Sequence, residues 1–315
     1  MYANRWGKAA APIRQRETRQ RGFTLVEIMV ALVLGLLVVN AVIQVFLSTQ
    51  QSGRIQQAAS RMQEDGRLVI DLMNRYIRLA GYVTNPWDRG DTAWNPIGGE
   101  RGFAARVNNF NPPFTSNPFA QGQVVSGGEN DINGVDSIRL RYQGSGGNPA
   151  NPAVPPGAPV IPGDGSITTC LGRAVAVNES ADITLSLTVD DPVDGRSLQC
   201  TDNNTNTTQP LVAGLQDMQI WYGVSQDQGG VPGVDAVGRL AGATAYLTAA
   251  QVTASGLWNR VISIQISLLV RSDQNNLASQ PQSYTFNGVI TNPPLTDRRL
   301  RYVMGTTANI RNQAP

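Results

Sequence analysis

The chain has 315 residues and a formal net charge of +2. It contains no histidine, and Lys8 is its single lysine. This composition excludes histidine as a general base or a metal ligand, and it excludes the phosphate-binding P-loop, which needs a lysine in a glycine-rich loop.

The N-terminal region predicts a membrane-spanning helix over residues 23–53. No charged residue occurs between Glu27 and Arg54, and a helix needs about 20 apolar residues to cross a bilayer. Residues 1–22 carry a net charge of +5, whereas the rest of the chain carries −3. By the positive-inside rule, we expect the N-terminus in the cytoplasm and the residues after about 50 on the other side of the membrane.

The sequence Arg21-Gly22-Phe23-Thr24-Leu25-Val26-Glu27 directly precedes the apolar run. It resembles the prepilin signal of type IV pilins and type II secretion pseudopilins. The resemblance implies that a prepilin peptidase removes residues 1–22 by cutting between Gly22 and Phe23, and then methylates Phe23. It also implies that Glu27 pairs with the α-amino group of a neighbouring subunit and sets its axial register. The alternatives are an ordinary signal anchor and a glutamate without a partner in the headgroup region.

The helical pattern continues beyond the predicted membrane segment, through an amphipathic half over residues 54–82. Apolar residues recur on one face, and Gly81 suits a C-terminal cap. The pattern therefore predicts one helix of about 55 residues, roughly 80 Å long. The face consists of Ile55, Met62, Val69, Met73, Tyr76 and Ala80. Ion pairs are expected between Arg61 and Asp65 and between Asp71 and Arg75.

Residues 83–315 are expected to form an exported, β-rich globular domain. Residues 83–130 are predicted to be long loops with a short strand over 103–107, and the glycine- and proline-rich tract 144–165 is predicted to be irregular. A short helix over 247–256 is expected to be capped by Thr248. The strands are expected at 137–142, 173–177, 183–189, 211–222, 261–271, 284–290 and 301–310, with 201–208 as a loop. One long helix followed by many strands predicts an α+β fold.

Three segments of the C-terminal half resemble the PilW family of minor pilins, namely Leu211–Val224, Asn259–Ser272 and Arg298–Asn312. The resemblance implies the pilin fold, a long N-terminal helix packed on a mainly antiparallel sheet. It implies a low-copy structural subunit of the type IV pilus that has no cofactor and whose partners are other minor pilins, the major pilin and a tip adhesin. Pilus assembly, adhesion and twitching motility follow as expected roles.

The two cysteines, Cys170 and Cys200, lie in the part of the chain that we expect to be exported, where disulfides persist. We therefore expect a disulfide that closes a loop of about 30 residues and contributes roughly 3–4 kcal/mol in the chain-entropy model. The alternative is two separate thiols.

Two acidic segments, Asp131–Asp136 and Asp190–Gly195, have the alternating oxygen ligands of a calcium loop, but neither has the distal glutamate of that motif. Turns capped by Asn and Asp side chains are therefore the preferred interpretation. Gly223–Asp227 lacks the final glycine of a nucleophile elbow. We expect no enzyme activity and no bound metal. The alternatives to a minor pilin are a pseudopilin of type II secretion and a membrane-tethered periplasmic enzyme or binding module.

Overall fold

The computed structural model describes residues 22–82, 119, 123–145, 163–176, 179–191, 195–225 and 242–312. The chain divides into two compact units, residues 1–53 and residues 54–315. The predicted strand at 103–107 and most of the predicted leader and of the tract 144–165 lie outside the described residues.

One helix, α1, runs without interruption over the 55 residues Leu25–Leu79, as predicted. No proline occurs between Pro12 and Pro86, so no missing N–H breaks the helix. Gly81 follows the last turn with a φ of +74°, a conformation that glycine adopts without a steric penalty. The Gly81 N–H donates to the Arg141 carbonyl oxygen at 2.8 Å, which ties the end of α1 to the sheet.

Ten strands and one further α-helix follow α1 in the described part of the chain. The short helix, α2, spans Ala249–Ser255, and its Thr248 and Gly256 caps confirm the prediction for this segment. A single 3-10 turn, Trp258–Arg260, comes after it. The strands are β1 (Val125–Ile132), β2 (Val135–Gln143), β3 (Ser180–Leu187), β4 (Arg196–Asp202), β5 (Thr207–Val224), β6 (Ala245–Leu247), β7 (Val261–Arg271), β8 (Tyr284–Phe286), β9 (Val289–Thr291) and β10 (Arg301–Asn309).

Eight of these strands form one sheet in the order β1-β2-β3-β4-β5-β7-β10, with β6 paired to the end of β5. β8 and β9 form a separate two-stranded hairpin. All pairings among the described strands are antiparallel. The predicted fold class, α+β with a long N-terminal helix on an antiparallel sheet, is confirmed.

The C-terminal half of α1 packs on one face of this sheet. The predicted apolar face is buried from Met62 onward, and the Tyr76 ring stacks on Tyr142 of β2 with 6.4 Å between the centroids. Gly66 lies against Met304 of β10 and Val270 of β7, and a Cβ at this position would clash with the Met304 sulfur. The missing side chain therefore allows the helix to approach these two strands closely.

The sheet curls so that β2 reaches β5, although two strands separate them in the sheet order. The Asp136 carboxylate of β2 accepts hydrogen bonds from the Ile220 N–H at 2.8 Å and the Gln219 Nε2 at 2.6 Å. The Tyr222 hydroxyl of β5 donates to the Ser137 carbonyl oxygen at 3.3 Å. These contacts close one end of the hydrophobic core.

Several local predictions were wrong. The segment β2 was expected to be half-buried but is buried on both faces. The helix α1 and strand β5 cover the face of Tyr142 and Asp136, and Phe119 lies over Arg141 on the opposite face. The strand predicted at 173–177 is only an isolated bridge between Thr168 and Ala174 in the described residues. Strands β1 and β4 lie where no strand was predicted, and the predicted loop 201–208 shrinks to a tight turn between β4 and β5.

The two ion pairs predicted within α1 do not form among the described residues. Arg61 instead lies 3.6 Å from the Asp273 carboxylate, which comes from the connection after β7. Arg75 lies over the Tyr76 ring, 5.7 Å from its centroid. Exposed pairs within one helix contribute only about 0.3–0.5 kcal/mol, so a tertiary partner readily displaces them.

Candidate functional site

The N-terminal end of α1 carries the residues of the predicted processing site. Gly22 and Phe23 precede the first helical residue, and Phe23 is 78% exposed. The Glu27 N–H donates to the Thr24 carbonyl oxygen at 3.1 Å and to its hydroxyl at 3.3 Å, so Thr24 caps the helix. Glu27 lies in the first turn, where a carboxylate is favoured by the helix dipole.

The Glu27 side chain is exposed and has no hydrogen-bond or ion-pair partner within the described part of the chain. It lies four residues, about one helical turn, after Phe23. An unpaired carboxylate at the start of an apolar helix is free to accept a cationic group from another molecule. Gly22, Phe23 and Glu27 are thus exposed at the start of α1, and the described part of the chain supplies no partner for the Glu27 carboxylate.

The N-terminal half of α1 exposes a continuous apolar surface. From Phe23 to Leu47 its large apolar side chains are 50–78% exposed. By length and composition, α1 is a helix that could cross a membrane. Burying one such side chain contributes about 1.5–3 kcal/mol, so water is an unfavourable environment for this half of the helix. Lipid or other apolar helices are the environments that fit it.

Two features interrupt this apolar surface. Gln44 Nε2 donates to Asn40 Oδ1 at 3.2 Å, which satisfies one donor and one acceptor within the helix. Gly35 has nothing within 4 Å of the position where a Cβ would lie, so it leaves an open notch. Small residues let apolar helices approach each other closely, so the position of Gly35 suits packing against another apolar helix.

A disulfide joins Cys170 to Cys200 of β4, with 6.2 Å between the two Cα atoms, and it confirms the predicted bridge. It fixes the described segment 163–172 to the sheet. The Tyr142 hydroxyl holds the same segment by donating to the Thr168 carbonyl oxygen at 2.9 Å. Arg173, just after it, pairs with the buried Asp202 carboxylate at 2.8 Å.

The first segment considered as a calcium loop is the tight turn between β1 and β2. Asn133 and Gly134 have φ values of +56° and +72°. The Asp131 carboxylate accepts from the Ser137 hydroxyl at 2.8 Å, and that of Asp136 accepts three N–H groups. Both carboxylates therefore accept hydrogen bonds from groups of the protein itself, which agrees with the preferred interpretation of a turn capped by Asn and Asp side chains.

The second such segment, 190–195, is closed by a bridge between Asp191 and Gly195, and residues 192–194 lie outside the described residues. The Arg271 guanidinium donates to the Asp191 carbonyl oxygen at 2.6 Å. Across the described residues, no group of three or more His, Cys, Asp or Glu side chains could hold a metal ion.

Sequence reasoning missed the environment of Asp136, which it treated only as a possible calcium ligand. Asp136 is 2% exposed, and burial raises the pKa of its carboxyl to about 6, although the Ile220 and Asn130 N–H groups lower it. Burial also raises the pKa of the Tyr222 hydroxyl well above its ordinary value. The sequence gives no signal for this cluster, because β2 and β5 are more than 80 residues apart.

A cleft of about 490 Å³ lies beside the C-terminal turns of α1. Its charged lining consists of Arg75, Arg78, Arg311 and Asp71. Glycoside hydrolysis needs a pair of carboxyl groups, and this cleft has a single one among its lining residues. The cleft therefore offers positive charge without an acid–base pair.

Two segments of the chain match family models of known proteins. Residues 18–39 match the family model of the prokaryotic N-terminal methylation motif, and residues 186–312 match that of the type IV pilus-assembly protein W. Within these two segments, which make up just under half of the chain, the sequence is similar to type IV pilus-assembly proteins. The first match contains Gly22, Phe23 and Glu27, and the second contains β4 to β10.

Two proteins of Thermus thermophilus are similar to this chain. A pilin-like protein is 33% identical over 72 residues, which are 23% of the chain and about 30% of the length of that relative. A solved type IV-like pilin is 12% identical, with a TM-score of 0.38, and the comparison covers 81% of this chain and 99% of that one.

Proposed function

We propose that this chain is a minor pilin, a structural subunit that is incorporated into the type IV pilus at low copy number. The observation that carries the proposal is the exposed apolar half of α1, which begins directly after Gly22 and Phe23 and has the unpaired Glu27 in its first turn. The subunit acts by polymerising, and the buried half of the same helix carries the sheet domain. We propose no catalytic step for it.

Processing removes the leader and prepares the helix for assembly. A prepilin peptidase cuts between Gly22 and Phe23 and methylates Phe23. The cut removes a net charge of +5, whose passage through lipid would be costly. It also creates an α-amino group, which pairs with Glu27 of a neighbouring subunit and sets the axial register.

Localisation follows from the charge distribution. The N-terminus lies in the cytoplasm, residues 23–53 lie in the inner membrane, and residues 54–315 lie in the periplasm before the subunit enters the extracellular pilus. The partners are the prepilin peptidase, other minor pilins, the major pilin and a tip adhesin. The disulfide supports this location, because disulfides persist in the periplasm and outside the cell.

The size of the exported region supports a position at the pilus tip, in the complex that starts assembly. A domain of more than 230 residues with long connections packs poorly around a slender filament, but it fits at the end of one. This position would give the subunit its role in adhesion and twitching motility.

Substitutions at the two ends of the site test the proposal. Gly22→Leu should block leader removal, because a side chain replaces the glycine at the cut. Glu27→Ala and the equally sized but uncharged Glu27→Gln should be processed normally but incorporated at least about tenfold less, because each loses a charged pair in an apolar environment. Gln44→Ala is the matched control within the same exposed half-helix. Normal incorporation of both Glu27 variants would contradict the pairing.

Mass spectrometry of sheared filaments distinguishes this function from its alternatives. We expect a methylated N-terminal peptide that starts at Phe23. A processed protein that stays in the inner membrane would favour a pseudopilin of type II secretion. An intact leader would favour a tethered periplasmic enzyme or binding module.

A further inference from the structure

The large sheet ends in β10, whose outer backbone edge has no partner strand among the described residues. β10 pairs with β7 in an unbroken register, from Arg301 opposite Arg271 to Asn309 opposite Ser263. Just beyond the strand, the Ile310 N–H donates to the Ile262 carbonyl oxygen at 2.9 Å. Because backbone groups alternate in direction along an antiparallel strand, the even-numbered residues of β10 point to β7 and the odd-numbered residues point outward.

The outward residues are Val303, Gly305, Thr307 and Asn309. None of their backbone N–H groups has a hydrogen-bond partner in the described part of the chain. Val303 is 40% exposed, and Gly305 and Thr307 are exposed as well. A row of unpaired donors and acceptors is a template for another strand.

β10 lacks the features that usually protect an edge strand. No charged residue and no proline occurs from Tyr302 to Asn309, and the register with β7 contains no bulge. Charges, prolines and bulges are the common means by which proteins prevent pairing at an edge. The eight residues from Tyr302 to Asn309 therefore form a regular, uncharged edge.

The opposite edge of the same sheet shows the contrast. β1 has a register shift between Gly128 and Ile132, and it carries the charged residues Glu129 and Asp131. The Ala250 N–H of α2 also reaches the Glu129 carboxylate at 3.4 Å, so a helix lies beside this edge. The β1 edge therefore carries features that hinder strand pairing, and the described β10 edge does not. This difference indicates that the β10 edge has a function.

We propose that β10 accepts an extended strand of another protein, which continues the sheet by β-strand addition. Gly305 in the middle of the edge indicates what that strand is like, since a glycine within a strand often marks the close approach of another backbone. The added strand is largely uncharged and places a large apolar or aromatic side chain over Gly305, which fills the space that the glycine leaves.

A second copy of this chain fits the edge less well. Symmetrical pairing centred on this strand would place Gly305 opposite Gly305, with no side-chain contact where cross-strand pairs stabilise a sheet. The proposed surface uses neither Phe23 nor Glu27, so it stands or fails independently of the processing and register roles proposed above.

Amide hydrogen exchange of the full-length protein tests the proposal. We would compare the protein purified alone in detergent with the same tagged protein recovered together with its bound subunits from solubilised membranes. The amides of Val303, Gly305 and Thr307 should exchange rapidly in the protein alone and at least roughly 100-fold more slowly in the complex. Slow exchange in the protein alone, or equally fast exchange in the complex, would overturn the proposal.

A proline substitution in β10 gives a second test, with the recovery of a bound subunit as its readout. Thr307→Pro removes an outward N–H that does not bond to β7. This variant should lower the recovery of one bound subunit at least about tenfold. The control variant Thr307→Val keeps the N–H, and recovery of that subunit should stay within about twofold of the wild type. If the proline variant does not fold, Val303→Lys serves instead, because it puts a charge beside the added strand and leaves the backbone intact. Full recovery with both Thr307→Pro and Val303→Lys, or a homodimer that either variant dissociates, would refute the proposed partner strand.

Discussion

Asp136 is a carboxylate placed where its charge is costly. It is buried between β2 and β5, and burial raises its pKa to about 6 against an ordinary value of 3.8. Three N–H groups compensate part of this cost, from Ile220, Asn130 and the Gln219 amide. The carboxylate thus links β2 to β5, but its burial favours the neutral, protonated form.

This pKa shift predicts that the protein is more stable in mild acid. Because the folded protein binds a proton on Asp136 that the unfolded protein has lost, the unfolding free energy falls as pH rises from about 4 to about 6. The difference between a pKa of about 6 and the ordinary value of 3.8 corresponds to roughly 2–3 kcal/mol of unfolding free energy. Asp136→Asn should remove most of this pH dependence, measured by urea denaturation at several pH values.

The exposed Glu129→Gln on the same hairpin serves as the control and should keep most of the dependence, because burial raises the pKa of Asp136 more than the Glu129 charge does. Burial also raises the pKa values of Asp65 and Asp217. Hydrogen bonds with Ser166 lower the pKa of Asp164 and, against the effect of burial, pairing with Arg301 lowers that of Asp297, so the slope that remains in Asp136→Asn should be small. An unchanged slope in Asp136→Asn would show that Asp136 titrates as an ordinary carboxyl group.

At the scale of single residues, the sequence predicted the processing site but not the Asp136 cluster. Gly22, Phe23 and Glu27 are recognisable because they are close together in the chain and directly precede an apolar run. Asp136 meets Ile220 only through the curl of the sheet, and no local pattern encodes that curl. Contacts between distant strands depend on the sheet order, which periodicity does not reveal.

At the scale of elements, the disulfide joins the segment 163–172 to β4. The cysteines are 30 residues apart, and the chain-entropy model gives a contribution of roughly 3–4 kcal/mol to the unfolding free energy. The double variant Cys170→Ser with Cys200→Ser should therefore unfold at a lower urea concentration than the wild type.

Reduction provides the control for this prediction. A reducing agent should lower the urea concentration at which half of the wild-type protein is unfolded, toward the value of the double variant. It should leave the value of the double variant unchanged. Equal midpoints for the oxidised and reduced wild type would show that the bridge adds no stability.

Elements with a strong period were predicted and those without one were not. α1 was predicted because its apolar face recurs over seven turns without a proline, and β7 because it alternates over eleven residues. β1 reads Val-Ser-Gly-Gly-Glu-Asn-Asp-Ile, and its glycines and polar residues resemble a loop. It is a strand because β2 pairs with it, so its structure depends on tertiary contacts rather than on propensity.

At the scale of the whole molecule, the two units should differ in solubility. Residues 54–315 form a compact unit with its own core, whereas the exposed apolar side chains lie between Phe23 and Leu47. A fragment of residues 54–315 should remain folded and soluble without detergent. The full chain should require detergent, because water is unfavourable for its apolar half-helix.

Size-exclusion chromatography and circular dichroism of both proteins check this expectation. The matched comparison is a full-length variant with three exposed apolar residues replaced, Leu32→Ser, Leu36→Ser and Val39→Ser, which should need less detergent than the wild type. Aggregation of the fragment in the absence of detergent would show that the sheet domain depends on the N-terminal half of α1.

The packing of α1 also sets the order in which the chain can fold. The Asn312 amide donates to the Ala80 carbonyl oxygen across 232 residues of sequence, and Gly66 lies against Met304. The apolar face of the helix therefore remains uncovered until β7 and β10 have been synthesised. At a synthesis rate of about 5–20 residues per second, this delay lasts roughly 10–50 s. During this interval the nascent chain exposes the apolar face of α1, so a chaperone that binds this face would raise the yield of folded protein.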